Sequence, residues 1–197
     1  MKILKVNPKN FEKIIKEIIE SIRKGDVIVC PTDTVYGLIC DATNKRAVKK
    51  LFKIKKRKIQ KSVPIFVKDL KMAKELAKIN EKQEKFLKSI WPGKITTVLK
   101  RKKTKINLYR VDKKTIALRV PKYKLIATLF KNLNRPLTGT SANISKKPAT
   151  TKIEEVLRQF QGQKLQPDFI IDVGDLKFSK PSTIIDLTEL KPKILRK

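Results

Sequence analysis

The chain has 197 residues, and 40% of them are hydrophobic, enough to bury a core without covalent staples. It carries 49 Lys and Arg against 18 Asp and Glu, a net charge of +31, so polyanions such as nucleic acid suit its surface. It has no histidine, which excludes Ser-His-Asp and Cys-His systems and imidazole metal ligands, and no apolar run reaches the ~18–20 residues of a membrane span.

Two further inferences come from composition. Cys30 and Cys40 both sit in apolar runs, which reads as buried, reduced thiols and a cytoplasmic protein with no zinc site. The positive charge has two readings. It fits an RNA-binding surface, and it equally fits a genome-wide lysine bias, because the lysines are spread along the whole chain.

Residues 2–6 alternate polar and apolar and predict a first strand rather than a signal peptide. Phe11, Ile14, Ile15, Ile18, Ile19 and Ile22 then mark one face of a helix that ends near Gly25. Val27-Ile28-Val29-Cys30 reads as a buried strand running into Pro31-Thr32-Asp33-Thr34-Val35-Tyr36-Gly37-Leu38. Pro31 cannot donate to a sheet ladder, so the strand ends or bends there. The short polar side chains that follow suit contact with a polar ligand, or an ordinary turn. A second extended segment is expected over 35–40.

Asn44 can cap a helix carrying Ala47, Val48, Leu51 and Phe52 on its inner face. The helix ends in Lys55-Lys56-Arg57-Lys58, which is either a solvated end that complements the helix dipole or a phosphate clamp. Residues 64–67 predict a strand, 70–79 and 81–90 two helices broken by Trp91-Pro92-Gly93, and 95–99 a strand before an exposed basic loop. Arg119 stands at the end of a strand, just before Val120-Pro121. A helix is expected over 123–132, and Pro136-Leu137-Thr138-Gly139 runs into Thr140-Ser141-Ala142-Asn143, a second strand ending in small polar side chains. Thr150 or Thr151 can cap a helix over 153–160, with Glu154 completing a capping box on Thr151. Strands are expected over 169–172, 184–186 and 193–195. The irregular alternation gives an α/β or α+β fold with a mixed sheet, and neither a P-loop nor a Rossmann glycine motif is present.

Five motifs occur in order: PTDTVYGL at 31–38, Lys55-Lys56-Arg57, RVP at 119–121, Ser141-Ala142-Asn143 and PSTIID at 181–186, with WPGKITTVL at 91–99 between them. Together the chain resembles the YrdC family of L-threonylcarbamoyladenylate synthases in its short form, one YrdC-like domain over 1–197. The resemblance implies a twisted, mostly mixed β-sheet flanked by helices and curved into a concave, positively charged cavity. It implies condensation of L-threonine, bicarbonate or carbon dioxide, and ATP with Mg2+ to threonylcarbamoyl-AMP and pyrophosphate, with no tightly bound cofactor. The product would serve threonylcarbamoyladenosine modification of tRNA through downstream threonylcarbamoyl-transferase proteins, with tRNA or another RNA as a further partner and no membrane partner.

By the same resemblance, Thr34, Arg119, Gly139 and Ser182 would bind threonine, Arg119 holding its carboxylate. Lys55, Arg57, Lys61, Thr115, Ser141, Asn143, Ala149 and Arg196 would bind ATP, with Lys55 and Arg57 as the catalytic cations and no metal ligand assigned. The chain departs from the family pattern at four places, the mildest being Asp33, where Glu is common. The region of Phe66 lacks a histidine, Lys58 follows Arg57 where proline is common, and Ser145-Lys146 follows the S-x-N triplet where Ser-Gly is common. The alternatives are an RNA-binding module that keeps the cavity without synthase activity, and a carbamoyl-adenylating enzyme using carbamoyl phosphate, against which the short length argues.

Overall fold

The computed structural model describes residues 1–58 and 60–197. The chain opens with strand β1 (Lys2–Lys5) and helix α1 (Phe11–Lys24), whose Ile14, Ile15, Ile18, Ile19 and Ile22 are buried as one stripe. Gly25 ends the helix at φ 90°, a left-handed cap that glycine adopts without strain. Strands β2 (Ile28–Cys30) and β3 (Gly37–Ile39) follow, both fully buried. The Thr32–Val35 turn links them as an antiparallel pair.

Helix α2 (Lys45–Ile54) starts as expected, with the Asn44 side chain accepting from the Arg46 and Ala47 amides. Next come β4 (Ile65–Phe66), α3 (Leu70–Leu76), α4 (Glu81–Ile90), β5 (Ile95–Lys100) and β6 (Thr115–Arg119). Helix α3 stops before residue 79 because Ala77 turns extended and bridges Arg101. After α5 (Lys124–Leu133) come two short strands, β7 (Leu137–Thr138) and β8 (Thr140–Ser141), then α6 (Ile153–Phe160), β9 (Phe169–Asp172), β10 (Thr183–Asp186) and β11 (Lys193–Arg196).

The capping box expected on Thr151 does not form. Lys152 is the cap position of α6, and the free Ile153 amide donates to Asp175 Oδ1 at 3.0 Å, a partner 22 residues away. Thr150 serves the helix start instead, accepting from the Lys152 amide at 3.1 Å.

The α/β class holds, with the strands divided between two mixed sheets. One sheet has the order β1-β9-β2-β3-β8 and the other β11-β10-β5-β6-β4-β7. The chain passes from the second sheet to the first at Gly139, between β7 and β8. Two apolar clusters hold these layers. The larger joins α2, α3, α6 and the inner faces of both sheets, and the other seats α1 and α5 against β2 and β9. Cys30 and Cys40 are both free thiols with no exposure, and burial raises the pKa of each. No described helix is long and apolar enough to cross a membrane.

Candidate functional site

The strand ends of both sheets open onto one cavity of about 350 Å3. From the first sheet come Thr32, Thr34 and Gly37, and from the crossover Gly139, Thr140 and Ser141. The second sheet contributes Phe66, Thr96, Ala117, Arg119, Ser182 and Arg196. Sheet alternation explains part of this set. Ala117 and Arg119 are two apart on β6 and share a face, while Thr96 on β5 meets the Ser182 hydroxyl at 2.9 Å.

Arg119 is fixed from three sides. Its Nε donates to the Gly93 carbonyl at 2.9 Å, Nη1 to Thr34 Oγ1 at 3.2 Å, and Nη2 to Asp33 Oδ1 at 2.5 Å. Its guanidinium lies 5.6 Å from the centre of the Phe66 ring. Burial pulls its pKa down and Asp33 opposes that, yet a guanidinium keeps its proton. Thr34 is oriented in turn by Thr32, at 3.0 Å between hydroxyl oxygens. This end offers an arginine, two hydroxyls and a close-packed floor.

The floor depends on Gly139. A Cβ there would lie 2.8 Å from Phe66 Cγ and closer still to the ring edge. Only a residue without a side chain lets the chain cross between the sheets while Phe66 stays in place.

A second cavity of about 410 Å3 adjoins the first and shares Arg57 and Ser141 with it. Its lining includes Lys55, Lys56, Lys58, Lys61, Asn143 and Lys146. Neither cavity is lined by any carboxylate among the described residues.

The spacing of Lys55 and Arg57 has a local cause. Helix α2 ends in a Schellman turn: the Arg57 amide donates to Phe52 O at 2.9 Å and the Lys56 amide to Lys53 O at 3.0 Å. Lys56 sits between them at φ 49°, in the left-handed region. That reversal buries Lys55 and turns Arg57 to the wall shared by both cavities. Arg57 Nη2 donates to Ser62 O at 2.6 Å, and its buried Nε has no partner among the described residues.

Lys55 is 2% exposed, and its Nζ donates to Ser141 O at 2.5 Å, Asn143 O at 2.9 Å and Asn143 Oδ1 at 3.0 Å. The Ser141 hydroxyl donates to the same Asn143 Oδ1 at 2.5 Å. Asn143 Nδ2 reaches the Ile144 and Lys147 carbonyls. Three acceptors match an ammonium, but none carries a charge. Burial, and then the neighbouring Arg57, lower the Lys55 pKa to about 7. Lys55 and Asn143 thus bind the S-x-N loop to the end of α2. Lys146 stands at φ 75°, in the left-handed region that glycine adopts without strain.

Of the sequence-selected residues, Thr34, Arg57, Arg119, Gly139, Ser141, Ser182 and Arg196 line the first cavity, and Lys55, Lys61 and Asn143 join through the second. Arg196 on β11 donates through Nε and Nη2 to the Ser182 carbonyl, at 3.1 and 2.6 Å. Thr115 and Ala149 line neither cavity, and Thr115 is engaged by Asp112 through both its amide and hydroxyl. Sequence reasoning missed Asp33 as the partner of Arg119 and Thr96 as the partner of Ser182. The alternation of β5 is a signal that could have placed Thr96.

The sequence over residues 20–197 matches the Sua5/YciO/YrdC family model, described as telomere recombination. The chain belongs to this family. One family relative is a Methanocaldococcus jannaschii protein provisionally named a threonylcarbamoyl-AMP synthase, 34% identical over 97% of this chain and 88% of its own length. Another is the Pyrococcus abyssi threonylcarbamoyl-AMP synthase, 36% identical over 89% of this chain and 51% of its own length. The chain therefore spans about half of that relative. Among solved structures, P. abyssi Sua5 complexed with L-threonine superposes with a TM-score of 0.86 at 33% identity, covering 99% of this chain and 56% of that one. Escherichia coli YciO gives 0.85 at 28% identity, covering 100% of this chain and 96% of that one.

Proposed function

We propose that the chain is a threonylcarbamoyl-AMP synthase, using L-threonine, bicarbonate or carbon dioxide, and ATP, with the product serving tRNA modification. The observation that carries this reading is the pair of joined cavities. One end has the hydroxyls and arginine a small amino acid needs, the other has cations without carboxylates, and Arg57 and Ser141 belong to both. The threonine-bound relative and the synthase names of the relatives support it.

In this reading Arg119 pairs with the threonine carboxylate, and Thr34 and Ser182 hydrogen-bond its polar groups above the Phe66–Gly139 floor. The free amine takes up carbon dioxide and releases a proton, giving a carbamate. A carbamate oxygen attacks the α-phosphorus of ATP, and the bond to the β-phosphate bridging oxygen breaks. Alignment and neutralisation of the departing pyrophosphate by Arg57, Lys61 and Arg196 supply the acceleration, so no covalent nucleophile is needed. The partnerless Arg57 Nε supports its place against an anion. Magnesium would accompany ATP as the counter-ion of its phosphates, and the described residues lining the two cavities would offer it no carboxylate.

The test is formation of an AMP conjugate from threonine, bicarbonate and magnesium-ATP by the folded protein, with pyrophosphate released in equal amount. Arg57→Ala should lower kcat/KM at least a hundredfold, by roughly 3 kcal/mol of lost charge stabilisation. A folded protein that releases no pyrophosphate under these conditions would overturn the assignment.

A further inference from the structure

Strand β5 presents two neighbouring threonines to opposite surroundings. Thr96 and Val98 line the first cavity, the cup between the two sheets, together with Ala117, while Thr97 pairs with Leu118 on the far face, in the core. Thr97 Oγ1 has no partner among the described residues. Thr96 Oγ1 has one among them, the Ser182 hydroxyl at 2.9 Å. The backbone builds this contact. The Thr183 amide donates to Lys94 O at 3.1 Å and opens the parallel pairing of β10 with β5, which leaves Ser182 beside Thr96. Both side chains are buried.

The direction of the Thr96–Ser182 bond follows from a third group. Arg196 Nη2 lies 3.2 Å from Ser182 Oγ, and the same guanidinium is held on the Ser182 carbonyl by Nη2 at 2.6 Å and Nε at 3.1 Å. A guanidinium only donates, so Ser182 Oγ accepts there and keeps one lone pair and one proton. Two arrangements remain. If Ser182 gives its proton to Thr96, it offers the cup a lone pair and suits an ammonium, which the adjacent Arg196 charge repels. If Thr96 donates, both lone pairs are used and the Ser182 proton is free for an acceptor in the cup. Arg57, Arg119 and Arg196 line the cup without any carboxylate among the described residues, so an anionic, oxygen-bearing ligand is favoured, and with it the second arrangement. Donation from Arg196 also polarises the hydroxyl and strengthens its own donation. Thr34, on the first sheet, is set the opposite way. Thr32 donates to Val35 O at 2.7 Å and so takes the Thr34 proton, and Thr34, which also accepts from Arg119, keeps a lone pair for a donor.

We infer, on the threonine reading of the cup, that Thr96 is a positioning residue: it donates to Ser182 and keeps the Ser182 proton available to an oxygen of the bound amino acid. Thr96 acts through Ser182 and does not itself touch the substrate.

The test is calorimetric titration with L-threonine, with steady-state kinetics of AMP-conjugate formation alongside. The proteins are wild type, Thr96→Val, Thr96→Ser, Ser182→Ala, the double variant Thr96→Val/Ser182→Ala, and Thr97→Val as a control of the same chemistry one residue along. Valine keeps the branched shape of threonine, so β5 should stay intact. Thr96→Val should weaken threonine binding by about five- to tenfold and raise KM for threonine to match. KM for ATP should stay within about twofold, because Arg196 remains on the Ser182 carbonyl. Thr96→Ser, which keeps the hydroxyl, should bind threonine within about twofold of wild type. Thr97→Val should bind threonine as wild type does and melt no lower, having lost only an unpaired hydroxyl. In the Ser182→Ala background, Thr96→Val should cost less than about twofold, because the group it acts through is gone. A full loss in that background means that Thr96 meets the substrate directly. Equal losses in Thr96→Ser and Thr96→Val mean that packing matters and the hydroxyl does not. Unchanged threonine binding in Thr96→Val, or KM for ATP rising in step with KM for threonine, leaves no oriented contact to explain. Each of these four results overturns the assignment of Thr96. Wild type that binds threonine but forms no adenylate sinks the activity alone, since the binding cycle still decides Thr96. Wild type that binds no threonine sinks the reading of the cup and the role of Thr96 with it.

Discussion

At the residue scale, two buried charges decide how the site behaves. Lys55 is closed in by neutral carbonyls, and its pKa of about 7 follows from burial and Arg57. An anion bound beside it would raise that value. Above pH 7 the free protein then holds a neutral Lys55 and the ATP complex a charged one, so binding takes up a proton. The sign is fixed: ATP affinity falls as pH rises above about 8, by at most tenfold per unit for one proton, after ATP itself has finished titrating. Calorimetry in buffers of different ionisation enthalpy should show this uptake, and Lys55→Met should abolish it. Equal proton uptake in the variant would contradict the assignment. Asp33 makes the opposite case. Its ion pair with Arg119 is nearly closed to solvent, with side chains 10% and 4% exposed. Asp33→Asn leaves the shape and removes the counter-charge, so the fold should lose about 3–5 kcal/mol. Gly93, Thr34 and Phe66 still hold the guanidinium in place. A threonine carboxylate would then replace the missing charge. Threonine should therefore raise Tm more in the variant than in wild type, and a smaller shift by scanning fluorimetry would remove Arg119 from the carboxylate site.

At the element scale, the crossover at Gly139 does the positioning. β7 pairs with β4 in one sheet and β8 with β3 in the other, so a single residue joins the two walls of the cup. Gly139→Ala drives a methyl group into the Phe66 ring, and overpacking of this kind costs about 1–3 kcal/mol. Tm should fall, and adding Phe66→Leu should recover part of the loss by vacating the ring. If the double variant melts lower than Gly139→Ala alone, the contact is not the cause. The sequence showed the elements clearly where periodicity is strong. The isoleucine stripe of α1, the Asn44 cap and the apolar run of β2 all appear where the pattern put them. It could not show what depends on distant partners. Asp175 reaches back to the start of α6 across 22 residues, and Asp33 reaches Arg119 across 86. The division into two sheets was equally hidden, because a two-residue strand on each side of one glycine leaves no period to read.

At the scale of the whole molecule, charge sets the response to salt. The chain holds 49 cations and 18 anions, so repulsion greatly exceeds attraction. Six ion pairs exist among the described residues, and in four of them at least one partner is well exposed or half-exposed to water. Exposed pairs contribute about 0–1 kcal/mol each, so little is lost when salt screens them. Screening the excess positive charge, by contrast, removes a destabilising self-energy throughout the surface, and the Debye length shrinks from about 30 Å at 0.01 M to about 8 Å at 0.15 M. Tm should therefore rise steadily when sodium chloride is added from low ionic strength to the physiological range. A K45E/K49E/K53E variant of α2, six units less positive, should rise less. A sulfate series at equal ionic strength separates screening from anion binding, since only binding makes the gain saturate at low concentration. If Tm falls with sodium chloride in wild type, the ion pairs outweigh the repulsion.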